Sequence, residues 1–331
     1  MSVLRVIGDD EARTLVNRAE VTDLVIAAYH AAAQGKADVS RPSAMMMRGL
    51  SGSGTEFKVK GAVLDALNVA GFRMRPYGAR ATAGSHLYVM EAESGRPLGL
   101  VSEAWLARVR TASTALVTCR ALLPAGAKRL ALIGTGRITE EFIRACDQLL
   151  PHVEIVLASR STERARAAAE QWRHLTPFPL SAAPVRDALA GADVVVTLSD
   201  AAEILFKASD VEPHALVCAL GGRYEFDRDV FDRSAAFVVD EMDFVCAAGS
   251  ASYWISSGQL ARKDLEQRLD ATIGEILLGT KTVAKGKPTL AIIQGMAICD
   301  LAIAKTVLDR ANRREGAGAP MASAPIVPAA V

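Results

Sequence analysis

The residues best placed to do chemistry begin with LALIGTGRITEEF at 130–142. A short apolar run meets Gly134, Thr135 and Gly136. A strand ending at Ile133 would put Gly134 at a tight turn and leave Gly136 without a side chain where a pyrophosphate approaches. The free N–H groups and dipole of the next helix, starting at Arg137 and Ile138, attract such an anion. Thr139 replaces the third glycine of the usual dinucleotide fingerprint and is small enough for a slightly looser helix–strand fit. A plain strand–helix turn can carry the same two glycines, so the next strand must arbitrate. It ends in Ala158-Ser159-Arg160, with Ser159 lying 23 residues beyond Gly136. An acid there would bind the ribose 2′-hydroxyl of NAD; a hydroxyl beside a guanidinium welcomes a 2′-phosphate instead. The loop reads as a site for NADP(H), with NAD(H) second. Thr197, Leu198 and Ser199 end another apolar run, and Leu220, Gly221 and Gly222 a third. Ligands of such sheets lie over these carboxyl ends, although polar strand ends and tight turns look the same.

The elements that must position these groups change character along the chain. Residues 11–34 read as one amphipathic helix, capped by Asp9 or Asp10 and stopped by Gly35. SGSG at 51–54 reads as a flexible turn, and strands follow at 70–76 and 85–92. ESGRPLG at 93–99 turns between two strands, and a helix runs from Glu103 to Leu123, ended by Pro124. Strands and helices then alternate. The strands are 130–133, 154–159, 193–198, 215–220 and 235–240, and the helices are 137–150, 161–173 and one ending at 187–191. These runs are too uniformly apolar to be one-sided and fit a parallel sheet buried on both faces. A last helix is expected at 289–312, followed by a disordered tail rich in Pro, Ala and Gly. The fold class is α/β: a Rossmann-type doubly wound parallel sheet plus a second α+β domain for substrate and dimerisation. The expected domains are 1–120 with 290–314, then 121–289, with 315–331 as tail.

The totals exclude several classes. The formal net charge of +1 over 331 residues gives no general attraction to nucleic acid or acidic membranes. No stretch approaches a membrane span or a signal peptide. Five scattered cysteines without a CxxC pair fit reduced core residues, so a cytoplasmic protein is expected. No histidine pair has zinc-ligand spacing, and no metal is expected. His30 and His86 read as structural.

SEAWLARVRTASTALVTCRAL, LALIGTGRITEEF, GADVVVTLS and GMAICDLAIAKTV, in that order, resemble the ornithine cyclodeaminase/mu-crystallin family over nearly the whole chain. The RTA element (Arg110-Thr111-Ala112) and the closing GxAxxD (Gly295, Ala297, Asp300) carry most of the specificity. The resemblance implies a homodimer binding NAD(H) or NADP(H). It also implies hydride exchange between nicotinamide and a carbon bearing nitrogen and carboxylate. It places Arg41 and Arg110 on the substrate carboxylate, Thr82 at a site threonine, Thr111 and Gly295 near the cofactor, and Asp300 in a structural role. The family's catalytic lysine, in a G-hydrophobic-K context, falls on Arg73 in AGFRMRPYG. Arginine cannot serve as a proton donor near neutral pH as lysine can. Lys58 and Lys60, in FKVKG, read as a solvated strand edge, with substitution for the missing lysine the lesser reading. The aspartate that cyclodeaminases carry after a glycine pair is absent from LGGRYEFDRDVF, where Arg223 matches a later basic residue. Glu225 and Asp227 remain nearby and read as exposed acids favoured by a helix dipole.

Cyclodeamination needs several proton transfers near the α-carbon, so these departures weigh against it. A single hydride step asks less. The leading expectation is an NADP(H)-preferring oxidoreductase acting on an imine or amino-acid substrate. Arg41, Arg73 and Arg110 in one pocket would favour a second acidic group on it. The alternatives are ornithine cyclodeaminase and a silent NADPH-binding protein.

Overall fold

The computed structural model describes residues 4–49, 54–78 and 84–316, folded around two sheets. The chain opens with β1 (Arg5–Ile7), α1 (Asp9–Leu15) and α2 (Arg18–Ala33). It continues through β2 (Ala37–Val39), β3 (Met45–Arg48), β4 (Glu56–Leu64), β5 (Val69–Tyr77), β6 (His86–Glu91) and β7 (Pro97–Ser102) to α3 (Leu106–Leu122). The alternating half follows: β8 (Arg129–Ile133), α4 (Arg137–Leu149), β9 (Glu154–Ala158), α5 (Thr162–Trp172), β10 (Leu180–Ala182), α6 (Val185–Leu189), β11 (Val194–Thr197) and β12 (Leu216–Ala219). Last come α7 (Asp229–Arg233), β13 (Ala236–Val239), α8 (Met242–Ala247), α9 (Gly249–Ser256), α10 (Arg262–Arg268), β14 (Ala271–Thr272), α11 (Ile273–Leu278), β15 (Thr289–Ile292) and α12 (Ala297–Gly316).

The first sheet has the order β1-β7-β6-β5-β4-β2, with β3 also on β4, and is antiparallel except for β1 beside β7. Its strands alternate. On β4, positions 58, 60, 62 and 64 share one face, and Ala62 and Leu64 bury it. Helix α12 packs across β4, β5 and β6. The second sheet is parallel throughout, in the order β10-β9-β8-β11-β12-β15-β13-β14. Every residue of β11, β12, β13 and β15 is buried, as the unbroken apolar runs require.

Two expected helices are corrected. The helix read at 11–34 is two helices. Val16 and Asn17 are extended, and Asn17 opens α2 with a capping box: its carbonyl oxygen accepts from Glu20 N, and the Glu20 carboxylate accepts from Asn17 N, both at 3.0 Å. The helix expected at 289–312 starts at Ala297, because 289–292 form strand β15 between β12 and β13. Residues 290–292 thus belong to the parallel sheet rather than to the first domain, where they had been expected. Helix α12 runs through Gly316. The rest of the expected tail, Thr82, and most of SGSG lie outside the described residues. All five cysteines are free, four of them buried. No helix among the described residues is long and apolar enough to cross a membrane.

Candidate active site

The glycine loop sits where β8 gives way to α4. Gly134 N donates to the Ala158 carbonyl at 2.9 Å, and Leu198 N to the Ile133 carbonyl at 2.8 Å, lacing the loop to the ends of β9 and β11. Gly134 has φ +126°, and a Cβ there would lie 2.5 Å from the Leu198 carbonyl oxygen. Gly136 caps α4 with no side-chain hydrogen bond, and a Cβ built on it meets nothing within 4 Å. A side chain at the head of this 13-residue helix would therefore enter open space, and no side chain caps the helix's first N–H groups, which fits a bound pyrophosphate. Thr135 and Ile138 are half-buried and Arg137 is exposed. Thr139, in place of the third glycine, is fully buried with its hydroxyl unpartnered. At the end of β9, Ser159 Oγ donates to the Ser161 carbonyl at 2.7 Å. The Arg160 side chain is 65% exposed and stands 3.7 Å from Glu203.

Glu225 overturns an expectation. It is 1% exposed and not a solvated helix-end acid. Its carboxylate accepts from Thr197 Oγ1 at 2.6 Å, Ser199 N at 3.0 Å and Ser199 Oγ at 2.5 Å. Thr197 and Ser199 thus spend their hydroxyl hydrogens inside the protein, shaping the end of β11. A Cβ on Gly221 would fall 1.8 Å from Glu225 Oε2, so the carboxyl occupies that space. Burial pushes Glu225 up to about 7, against the pull of the hydrogen bonds from Ser199 and Thr197. Leu198 and Leu220 are half-buried at the same strand ends, and Asp227 accepts from Asp229 N at 2.9 Å.

A buried charged cluster lies between the two sheets. Arg110, on α3, grips Asp300, on α12, through Nε at 2.6 Å and Nη2 at 3.2 Å. Arg73, on β5, lies 3.3 Å from Glu103 and 3.8 Å from Asp300. Gly295, at φ +78°, passes so close that a Cβ would meet Arg110 Nη1 at 2.3 Å. Arg41 does not join them. It is exposed and held bidentately by Asp38 at 2.9 Å. The expected three-arginine pocket is therefore a pair of arginines, Arg73 and Arg110, whose charge Glu103 and Asp300 balance. Thr111 donates to the Ala107 carbonyl at 2.7 Å, within its own helix.

Lys60 is the residue most misjudged from the sequence. It is 3% exposed, not at a solvated edge. Its Nζ donates to the Gly295 carbonyl at 2.8 Å and lies 3.2 Å from the centre of the Phe244 ring. Burial, Arg73 and Lys58 hold its amine well below the usual lysine range. Lys58 is pushed down to about 8, by burial first and then by Arg73 and Arg75. The period-2 pattern of EFKVKGAVL carried a usable signal, because both lysines share the face of Ala62 and Leu64. No sequence signal marked Glu103 or Asp240 as site residues.

The profile of the Ornithine cyclodeaminase/mu-crystallin family matches residues 11–315. An NAD(P)H-dependent anabolic L-arginine dehydrogenase of Pseudomonas aeruginosa is 28% identical over 65% of this chain and 68% of its own. The chain spans about two thirds of the length of the curated relatives it matches, 66% for the first of them. An archaeal alanine dehydrogenase dimer with bound NAD superposes with TM-score 0.84 at 20% identity, covering 95% of this chain and 98% of that one. Thermococcus litoralis Δ1-pyrroline-2-carboxylate reductase, in complex with NADH and L-proline, gives 0.82 at 17% identity with the same coverage. At such identities these two structures show the shared fold.

Proposed function

The chain belongs to the ornithine cyclodeaminase/mu-crystallin family, and on that premise we propose that it is an NAD(P)(H)-dependent oxidoreductase of imines or amino acids. The bond it acts on joins nitrogen to the carbon that bears a carboxylate. The observation that carries this reading is the open α4 N-terminus beside Gly136, at the same edge of the parallel sheet as the Gly295 turn packed on Arg110. Nicotinamide, when bound, supplies hydride exchange. The chain supplies the rest. The α4 N–H groups would hold pyrophosphate, Arg160 would bind a 2′-phosphate together with the Ser159 hydroxyl once it turns from the Ser161 carbonyl, and Glu225 fixes the end of β11 through Thr197 and Ser199. Arg110, whose Nε and Nη2 are taken by Asp300, would offer its remaining nitrogen, Nη1 beside Gly295, to the carboxylate. The relatives named above, which reduce imines or oxidise amino acids by their names, support the reaction class.

Two features favour a reductase or dehydrogenase over a cyclodeaminase. Position 73 carries arginine, and the loop after β12 is filled by the Glu225 carboxyl. Glu103 and Asp300 balance the charge of Arg73 and Arg110, which removes the support for a second acidic group on the substrate.

Energy transfer from Trp105, Trp172 and Trp254 to bound nucleotide tests the reading. Wild-type protein is expected to bind NADPH more tightly than NADH. Arg160→Ala should weaken NADPH by about 10–30-fold, the size of a charge-assisted hydrogen bond, and change NADH by less than about 3-fold. Equal effects on both nucleotides would remove the NADP(H) preference, and binding of neither would sink the function. NADPH consumption with Δ1-pyrroline-2-carboxylate, or with 2-oxo acids plus methylamine, separates an enzyme from a silent binding protein. Proline and ammonia from ornithine without net cofactor change would restore the cyclodeaminase.

The reading extends to the assembly: a cytoplasmic homodimer, with the first-sheet residues and α12 as the substrate and dimerisation domain. The support is the face of the first sheet turned away from α12, where Met45, Met47, Val63, Phe72 and Met74 are exposed together. A second copy laid on this face would cover it. Light scattering that reports a single 35.0 kDa chain overturns the dimer.

A further inference from the structure

Where the G-hydrophobic-K pattern calls for lysine, Arg73 stands, and a guanidinium keeps its proton throughout the working pH range. The β4–β5 ladder sets Lys60 directly opposite Arg73. Directly opposed residues leave the same face of a sheet with Cβ atoms about 5 Å apart. Lys60 Nζ is held by two peptide carbonyls, Gly295 at 2.8 Å and Gln294 at 3.4 Å. The turn that carries these carbonyls is pinned by Asp240, which accepts from Gln294 N at 3.1 Å and Gly295 N at 2.5 Å. The amine thus lies one glycine's breadth from Arg110, which packs against Gly295 Cα. A cavity of about 10 Å³, roughly one water in size, borders Lys60 together with Ser43, Glu241 and Phe244.

We propose that Lys60 has taken over the proton-transfer role that the pattern places at position 73. The inference rests on the oxidoreductase reading above. In reduction, the substrate carbon takes up hydride while the C=N π pair forms a new N–H bond with a proton from the Lys60 ammonium. The imine gains two electrons and the nicotinamide loses them. Lys60, left as the neutral amine, regains a proton from water on its cavity side. In oxidation the neutral amine takes the proton from nitrogen. Arg73 stays a fixed cation that keeps the amine easy to deprotonate. The charged groups around Lys60 are Arg73 on β5, Lys58 on β4, Arg110 on α3, Asp300 on α12, Asp240 after β13 and, across the small cavity, Glu241. The three cations disfavour its charge and the three acids favour it.

The test compares wild type, Lys60→Met and the double variant Lys60→Met/Arg73→Lys, using NADPH and Δ1-pyrroline-2-carboxylate. Lys60→Met should bind NADPH within about 2-fold of wild type by energy transfer. Its kcat should fall by about 100-fold or more, the size of a lost acid–base group, with the lysine limb gone from the pH profile. The double variant should recover about 10-fold, because it returns a lysine to the neighbouring ladder position. A second readout needs no turnover. An amine held low in the folded state binds fewer protons than in the unfolded chain, so wild-type stability rises with pH toward the unfolded lysine value. The melting temperature of Lys60→Met relative to wild type should therefore climb as pH is lowered from 10 to 7. If Lys60→Met loses NADPH binding, Lys60→Gln, which keeps a donor to the Gly295 carbonyl, carries the same expectations. A kcat within 3-fold of wild type with an unchanged pH profile, or a pH-independent melting difference, overturns the role of Lys60 alone. Wild-type protein that turns over no imine probe overturns the oxidoreductase reading, and this inference with it.

Discussion

Asp300→Ala is expected to destabilise the fold by about 3–5 kcal/mol, measured as the change in urea unfolding free energy. The side chain is 3% exposed and answers two buried guanidiniums, Arg110 at 2.6 Å and Arg73 at 3.8 Å. Arginine cannot shed its proton to escape burial, so the variant leaves uncompensated charge between the sheets. Asp300→Asn keeps a hydrogen-bond acceptor near Arg110 and should lose about half as much. The pH dependence has a definite sign. Burial pushes the Asp300 carboxyl up, but Arg110 and Arg73 outweigh it and hold it below the usual aspartate range. Its stabilisation is therefore present above the unfolded aspartate value and is lost as pH falls through the lower folded value. The alanine variant should lack that acid limb. A loss under about 1 kcal/mol would mean that the cluster is not the electrostatic joint between α3 and α12 described above.

The second large effect comes from one loop in which two glycines fail for different reasons. Gly134→Ala should lower stability by about 2 kcal/mol or more and abolish nucleotide binding. Its φ of +126° suits no side chain, and its Cβ would strike the Leu198 carbonyl oxygen, which is backbone and cannot step aside. Gly136→Ala should melt within about 2 °C of wild type, since its φ of −92° is ordinary and its Cβ enters empty space. That empty space is the proposed seat of the pyrophosphate. NADPH binding by this variant should therefore weaken by about 30-fold or more while the fold stays intact, as when a close backbone approach is blocked. Wild-type affinity in a well-folded Gly136→Ala protein would show that the loop is a structural turn and nothing more.

The amino-acid sequence was enough, by itself, to determine the parallel sheet and the glycine turn between β8 and α4. Strands buried on both faces must be continuously apolar, and a turn at φ +126° against a backbone carbonyl must lack a side chain; both are local demands that composition and spacing express. Asn17 and Glu20 also wrote a capping box into the sequence, although the apolar period across 11–34 hid the break they make. Thr289–Ile292 was misread because a short apolar run ahead of a helix has no period of its own. Only its neighbours β12 and β13 make it a strand. The chemistry of the buried charges was decided by tertiary structure alone. Lys60 becomes a buried amine only when β5 sets Arg73 opposite it, α8 brings up Phe244 and the Gly295 carbonyl turns toward it. Glu225 becomes a buried clamp only when the ends of β11 and β12 close on it. Arg41 and Arg110 are the same residue type, yet one faces solvent on Asp38 and the other is buried in a pair with Asp300. A side chain's charge, and its readiness to give it up, depend on which groups and how much water surround it, and that is set by segments far apart in the chain.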